Sequence, residues 1–79
     1  MDIIDAQVTE KEKTFAIKEV QGMYGKQQFT VWTYLLTFQT HRGQKLRMEV
    51  PEKTFNKADV DDKGELFIKR GRFKKFRIR

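Results

Sequence analysis

Seven of the last eleven residues are basic: Lys69, Arg70, Arg72, Lys74, Lys75, Arg77 and Arg79. Phe73 and Phe76 stand among them. Lys and Arg neutralise phosphates and release counterions. Small β barrels join such charge to exposed aromatic rings that stack on bases. Phe67 and Phe73 are the rings expected outside, because Phe76 and Ile78 alternate together toward an interior. The candidate contact set for an anion or nucleic acid is therefore Lys69, Arg70, Arg72, Phe73, Lys74, Lys75, Arg77 and Arg79. The same segment suits an anionic lipid surface. It also suits a plain solvated edge strand, on which Lys and Arg block edge-to-edge pairing.

The charge is local. Residues 1–65 hold ten Lys/Arg and eleven Asp/Glu, a net of −1, and residues 66–79 hold seven Lys/Arg and no acid. Nearly all of the net charge of +6 lies in the final 14 residues.

Other chemistry is thinly represented. Nucleophilic hydrolysis needs Ser or Cys beside a base, and the chain contains neither. With no Cys there is no disulfide framework and no thiolate metal site. His41 is the one imidazole, and it falls in an expected surface loop. Asp59, Asp61 and Asp62 lack the further acidic ligand and central Gly of a calcium loop, so they read as turn residues. Gly22 and Gly25 give a Gly-x-x-Gly spacing, but strands flank it, whereas the RNA-clamping loop of that spacing lies between helices. The expectation is a non-enzymatic domain with no catalytic residue, no cofactor, no metal and no small-molecule substrate.

The elements that must position these residues are mostly strands. Ile4, Ala6 and Val8 alternate with Asp5 and Gln7, the period-two pattern of a half-buried strand. Phe15 and Ile17 continue the alternation, in one long bent strand or in two. Gly22 and Gly25 bracket Met23-Tyr24 at a reversal, whose exposed tip is a candidate for self-association. Phe29 to Gln39 is rich in β-branched and aromatic residues and is the strongest strand. Its residues Tyr34, Leu36 and Phe38 are placed in the core.

Thr40-His41-Arg42-Gly43 reads as a hairpin loop. Leu46, Met48 and Val50 form a strand with one wet face. Pro51 ends that strand and suits a first helical turn, so residues 51–57 are expected to form a helical turn or two, with Phe55 plugging an open end of the sheet. Asp61-Asp62-Lys63-Gly64 reads as a turn. Leu66 and Ile68 open the next strand, and Gly71 marks a reversal. The spacing of Phe73, Phe76 and Ile78 predicts a bulge in the last strand. The chain is thus one domain, residues 1–79, all-β with at most one short helix. A small barrel or a strongly curled antiparallel sheet of five to six strands is expected.

The second half carries a resemblance. Tyr34-Leu35-Leu36-Thr37-Phe38 is followed by Arg42-Gly43, Leu46, Val50, Phe55 and Val60. Then come Asp62-Lys63-Gly64, Leu66 and Ile68, and finally Gly71-Arg72-Phe73 and Phe76. This order and spacing resemble the bacterial family known as Domain of Unknown Function twenty-five hundred. Its members run strand, hairpin, strand, short helix, Gly-Asp-x-Gly turn and final Gly-x-Arg-Phe hairpin. The resemblance spans about residues 30–78, with an opening strand near Ile3 to Val8. Asp61 stands where the family's turn usually has Gly. The resemblance implies a small β fold and no reaction. Family members often carry an N-terminal membrane helix, which this sequence does not show. The expectation is a soluble chain, cytoplasmic or the soluble portion of an anchored protein.

Overall fold

The period-two alternation is realised along almost the whole chain. The computed structural model describes residues 1–79. It contains β1 (Asp2–Gly22), β2 (Gly25–Thr40), β3 (Lys45–Val50), α1 (Glu52–Lys57), β4 (Lys63–Lys69) and β5 (Arg72–Ile78). All strand pairs are antiparallel, in the spatial order β3-β2-β1-β4-β5. The protein is all-β with one short helix.

The sheet curls but does not close into a barrel. Its edge strands β3 and β5 approach each other without a shared ladder. Two local irregularities face one another there. β3 runs into Pro51, which has no N–H to donate, and β5 carries the expected bulge. Phe67 stands opposite Lys75 and Ile68 opposite Phe73, which leaves Lys74 as the extra residue.

The concave face holds the core. Ala6 and Val8 of β1, Leu36 and Phe38 of β2, Val50 of β3, and Leu66 and Ile68 of β4 are buried, together with Ala58 after the helix. Phe38 is the largest fully buried side chain, and its burial contributes about 3 kcal/mol. Its ring stacks on Phe73 at 6.3 Å and meets Phe76 at 5.0 Å. Phe55 of α1 packs on Tyr34 with centroids 5.2 Å apart and seals that end of the core.

β1 is one strand. Val8 pairs with Phe38 and Glu10 with Thr37, so Thr9 is a bulged extra residue. The bulge switches the inward positions from Ile4, Ala6 and Val8 to Lys11, Lys13, Phe15 and Ile17. Pairing of β1 with β4 stops at Gln7, and pairing of β2 with β3 begins at Tyr34. Beyond those points β1 and β2 continue alone to Gly22 and Gly25 as a two-stranded ribbon. The ribbon accounts for the elongated outline of 52 × 24 × 19 Å and the 15.7 Å radius of gyration, against about 12 Å for a compact domain of this length.

The Asp61-Asp62-Lys63-Gly64 expectation is corrected in part. The turn ends at Asp62, and Gly64 lies buried within β4. Asp61 has φ of +78°, the left-handed conformation that explains why glycine suits this position.

Candidate functional site

The basic residues reach their places through the β4–β5 hairpin. Arg70 and Gly71 have φ of +54° and +76°, the paired positive values of a two-residue type I′ turn, whose twist matches the strands it joins. Residues directly opposite on an antiparallel pair share a face. Lys69 stands opposite Arg72, Phe67 opposite Lys75 and Glu65 opposite Arg77. The outer, convex face therefore presents Lys69, Arg72, Lys75 and Arg77.

Acidic neighbours temper one end of this face. Arg77 lies across from Glu65, and the Arg79 guanidinium donates to the Asp5 carboxylate at 2.5 Å. Lys69, Arg70 and Arg72, at the hairpin tip, have no carboxylate within ion-pair distance.

Phe73 is not exposed, and the bulge is the reason. The extra residue at Lys74 lets Phe73 and Phe76, three apart, both turn inward onto Phe38. Ile78, expected inside, is partly exposed at the end of β5. Phe67 is half-buried on the outer face, with the Lys75 ammonium 5.9 Å from its ring centroid. The basic end thus has no freely exposed aromatic ring.

Lys74 lies between two open clefts. One, of about 310 Å³, is lined by Lys53, Thr54, Lys57 and Ala58 of the helical segment and by Lys74, Lys75, Phe76 and Ile78 of β5. Four lysines and no carboxylate line it. The other, of about 770 Å³, lies in the gap between the sheet edges and includes Arg47, Glu49, Arg72 and Lys74. Sequence reasoning missed Lys53, Lys57 and Arg47. Lys53 and Lys57 are four apart on α1 and so share a helix face, which was a readable signal. Their meeting with β5 was not readable, because it depends on how the sheet curls.

The ribbon presents a different surface. Met23 and Tyr24 at its tip are 90% and 94% exposed, and Phe15, Ile17, Val20, Phe29, Val31 and Trp32 along it are exposed as well. Phe15 and Trp32 pair across the strands with centroids 5.3 Å apart. Lys13 sits over Trp32 at 4.5 Å, and Lys11 over Phe55 at 4.5 Å.

A crystal structure of a protein from Proteus penneri, a structural-genomics target, is similar to this chain. The two superpose with a TM-score of 0.82 at 19% identity, over 99% of this chain and 94% of that one. The likeness is one of fold, and its extent takes in the ribbon. No family model matches the sequence, and no curated protein matches it.

The remaining polar groups serve structure. The Asp62 carboxylate accepts from the Asp59 N–H at 2.8 Å, and Asp61 accepts from the Gln7 amide at 3.4 Å. His41 lies in the β2–β3 loop, where its backbone N–H donates to the Asp5 carbonyl at 3.3 Å. No three His, Cys, Asp or Glu side chains cluster as metal ligands. Burial and then the Glu52 carboxylate, charged and hydrogen-bonded, hold the Tyr34 phenol above its ordinary pKa. No helix is long and apolar enough to cross a membrane.

Proposed function

We propose that this chain is a non-enzymatic interaction domain whose basic end holds an extended polyanion, single-stranded nucleic acid first among them. One observation carries the reading: Lys53, Lys57 and Lys74 line one cleft without a carboxylate, with Lys75 at its border and its ammonium on the outer face, beside the unpaired tip of Lys69, Arg70 and Arg72. Lysine binds phosphate as a point charge. With Phe73 turned inward and Phe67 half-covered, binding rests on phosphates rather than on base stacking. It is therefore tolerant of sequence.

Membership of the family it resembles, Domain of Unknown Function twenty-five hundred, belongs to the same proposal. The chain runs strand, hairpin, strand, short helix, turn and hairpin, the order the resemblance implies. That family has no assigned reaction, which agrees with an accessory or interaction role.

The test is a titration of the protein against single-stranded DNA and RNA, with anionic and neutral vesicles in parallel. Four neutralised phosphates on a single strand predict an affinity loss of about fiftyfold between roughly 50 and 200 mM salt. Absence of oligonucleotide binding at low salt overturns the reading. Binding to anionic vesicles alone replaces it with peripheral membrane contact.

A further inference from the structure

The ribbon is a two-stranded sheet without a third strand, and such ribbons are at best marginally stable in water. Both of its edges present unpaired backbone groups, which template pairing with another chain. The β1 edge is the longer. β4 covers it up to Gln7, and the Asp61–Asp62 turn covers Val8, whose N–H donates to Asp62 at 2.9 Å and whose carbonyl accepts from Asp61 at 2.7 Å. From Thr9 to Gly22 that edge has no partner. The middle of this stretch is Phe15-Ala16.

We propose that two copies of this chain pair antiparallel along this edge, about a two-fold axis at Phe15. The charge pattern selects the register. With Phe15 opposite the partner's Phe15, Lys11 faces the partner's Glu19 and Glu12 faces the partner's Lys18. The two-fold repeats each pair. A shift of two residues, the smallest that keeps the facing N–H and C=O groups in register, leaves only one kind of opposite pair, Glu10 with the partner's Lys18 or Lys13 with the partner's Glu19. Opposite charges directly across a ladder stabilise it and like charges oppose it. The free β2 edge, Gly25 to Thr33, holds only Lys26 as a charge and selects no register.

The in-chain ion pairs leave room for these contacts. Glu12 meets Arg47, and Glu19 meets Lys26 at 3.6 Å. Each carboxylate has further acceptor sites, while Lys11 and Lys18 have no in-chain carboxylate. Phe15 and Trp32, 61% and 47% exposed alone, become half of a continuous aromatic row with the partner's Phe15 and the partner's Trp32. Gln21 comes opposite the partner's Thr9, the last residue of the free edge. The exposed Met23-Tyr24 tip thereby reaches the turn that carries the partner's Val60.

The absence of cysteine makes the register testable. Cβ atoms directly opposite on a ladder lie about 5 Å apart, so Phe15→Cys gives a disulfide-linked dimer on mild oxidation, and Ala16→Cys does not. Sedimentation equilibrium on the uncrosslinked chains supplies the second measurement. Lys18→Glu weakens the dimer about tenfold, because the charge reversal counts twice, and the Glu12→Lys/Lys18→Glu double variant restores it to within about threefold. A chain that stays monomeric at its highest soluble concentration overturns the proposal. So does a dimer that crosslinks through Ala16→Cys or ignores Lys18→Glu. The surface is separate from the basic end, so oligonucleotide binding and dimerisation stand or fall independently.

Discussion

A methyl group on Gly64 would lie 2.1 Å from the carbonyl oxygen of Arg77. Gly64 pairs with Ile78 in the β4–β5 ladder, and the obstacle is backbone, which cannot rotate aside. Gly64→Ala is therefore expected to cost about 2–3 kcal/mol in urea unfolding. Amide exchange should also rise at the end of β5. A loss below about 0.5 kcal/mol, the size expected of an unremarkable surface position, would mean that the strands do not approach as described.

Arg70 adopts a left-handed backbone at φ of +54°, which costs an L-residue with a bulky side chain roughly 1 kcal/mol. Asn is the preferred residue before Gly in this turn. Arg70→Asn is expected to raise stability by about 0.5–1 kcal/mol and to lower oligonucleotide affinity slightly by removing one cation. Stability and binding thus move in opposite directions, a pattern that a merely damaged hairpin would not give.

Lys57 and Lys74 come from different elements and line one cleft. Lys57→Gln and Lys74→Gln should each weaken oligonucleotide binding and flatten its logarithmic salt slope by about 0.7. Lys45→Gln, in β3 but outside the lining of either cleft, serves as the control and should leave both quantities unchanged. Equal effects from all three would point to diffuse charge rather than to a cleft.

Much of the fold was legible because burial on one face imposes period two. Leu36 and Phe38 were readable as core residues from alternation alone, and Tyr34, read with them, is half-buried against that core. The β1 bulge also left a trace: the inward residues are even-numbered through Val8 and odd-numbered from Lys11. Phe73 was misplaced because an unlocated bulge flips every side chain beyond it. The basic site was half legible. Sequence proximity gathers Lys69 to Arg79, whereas Lys53 and Lys57 join them only through the curl of the sheet. The free β1 edge was not legible at all, since alternation describes faces and says nothing about which strand lacks a neighbour.

Tyr34 carries a raised pKa, first from burial and then from the Glu52 carboxylate, charged and hydrogen-bonded. In the unfolded chain a tyrosine titrates near 10. Above that pH the native state holds a proton that the unfolded state has released, so stability falls with rising pH. The contribution is complete below about pH 10 and disappears as pH rises through the native value. Glu52→Gln removes the nearby charge and should bring the Tyr34 titration down toward the ordinary value. Ring carbon shifts in an alkaline NMR titration follow it directly. An unmoved titration would assign the shift to burial alone.

The last prediction separates the ribbon from the body. Every buried apolar residue, from Ala6 to Ile68, lies outside the stretch from Ala16 to Val31. Ala16 pairs directly with Val31 in a hydrogen-bonded position, so these two can flank a shortened hairpin. Replacing residues 17–30 by Asn-Gly gives a two-residue loop of the favoured type and removes most of both exposed strands and the Met23-Tyr24 tip. Since no core contact is lost, the free energy of unfolding of the remaining chain should stay within about 1 kcal/mol of the parent. The denaturant m-value should fall only with the smaller chain. Self-association should disappear, because residues 17–21 face residues 9–13 of the partner in the proposed pairing, and the basic end should bind oligonucleotides as before. If the shortened chain instead unfolds, the ribbon contributes to the fold itself, and its exposed aromatic residues would need an explanation within a single chain.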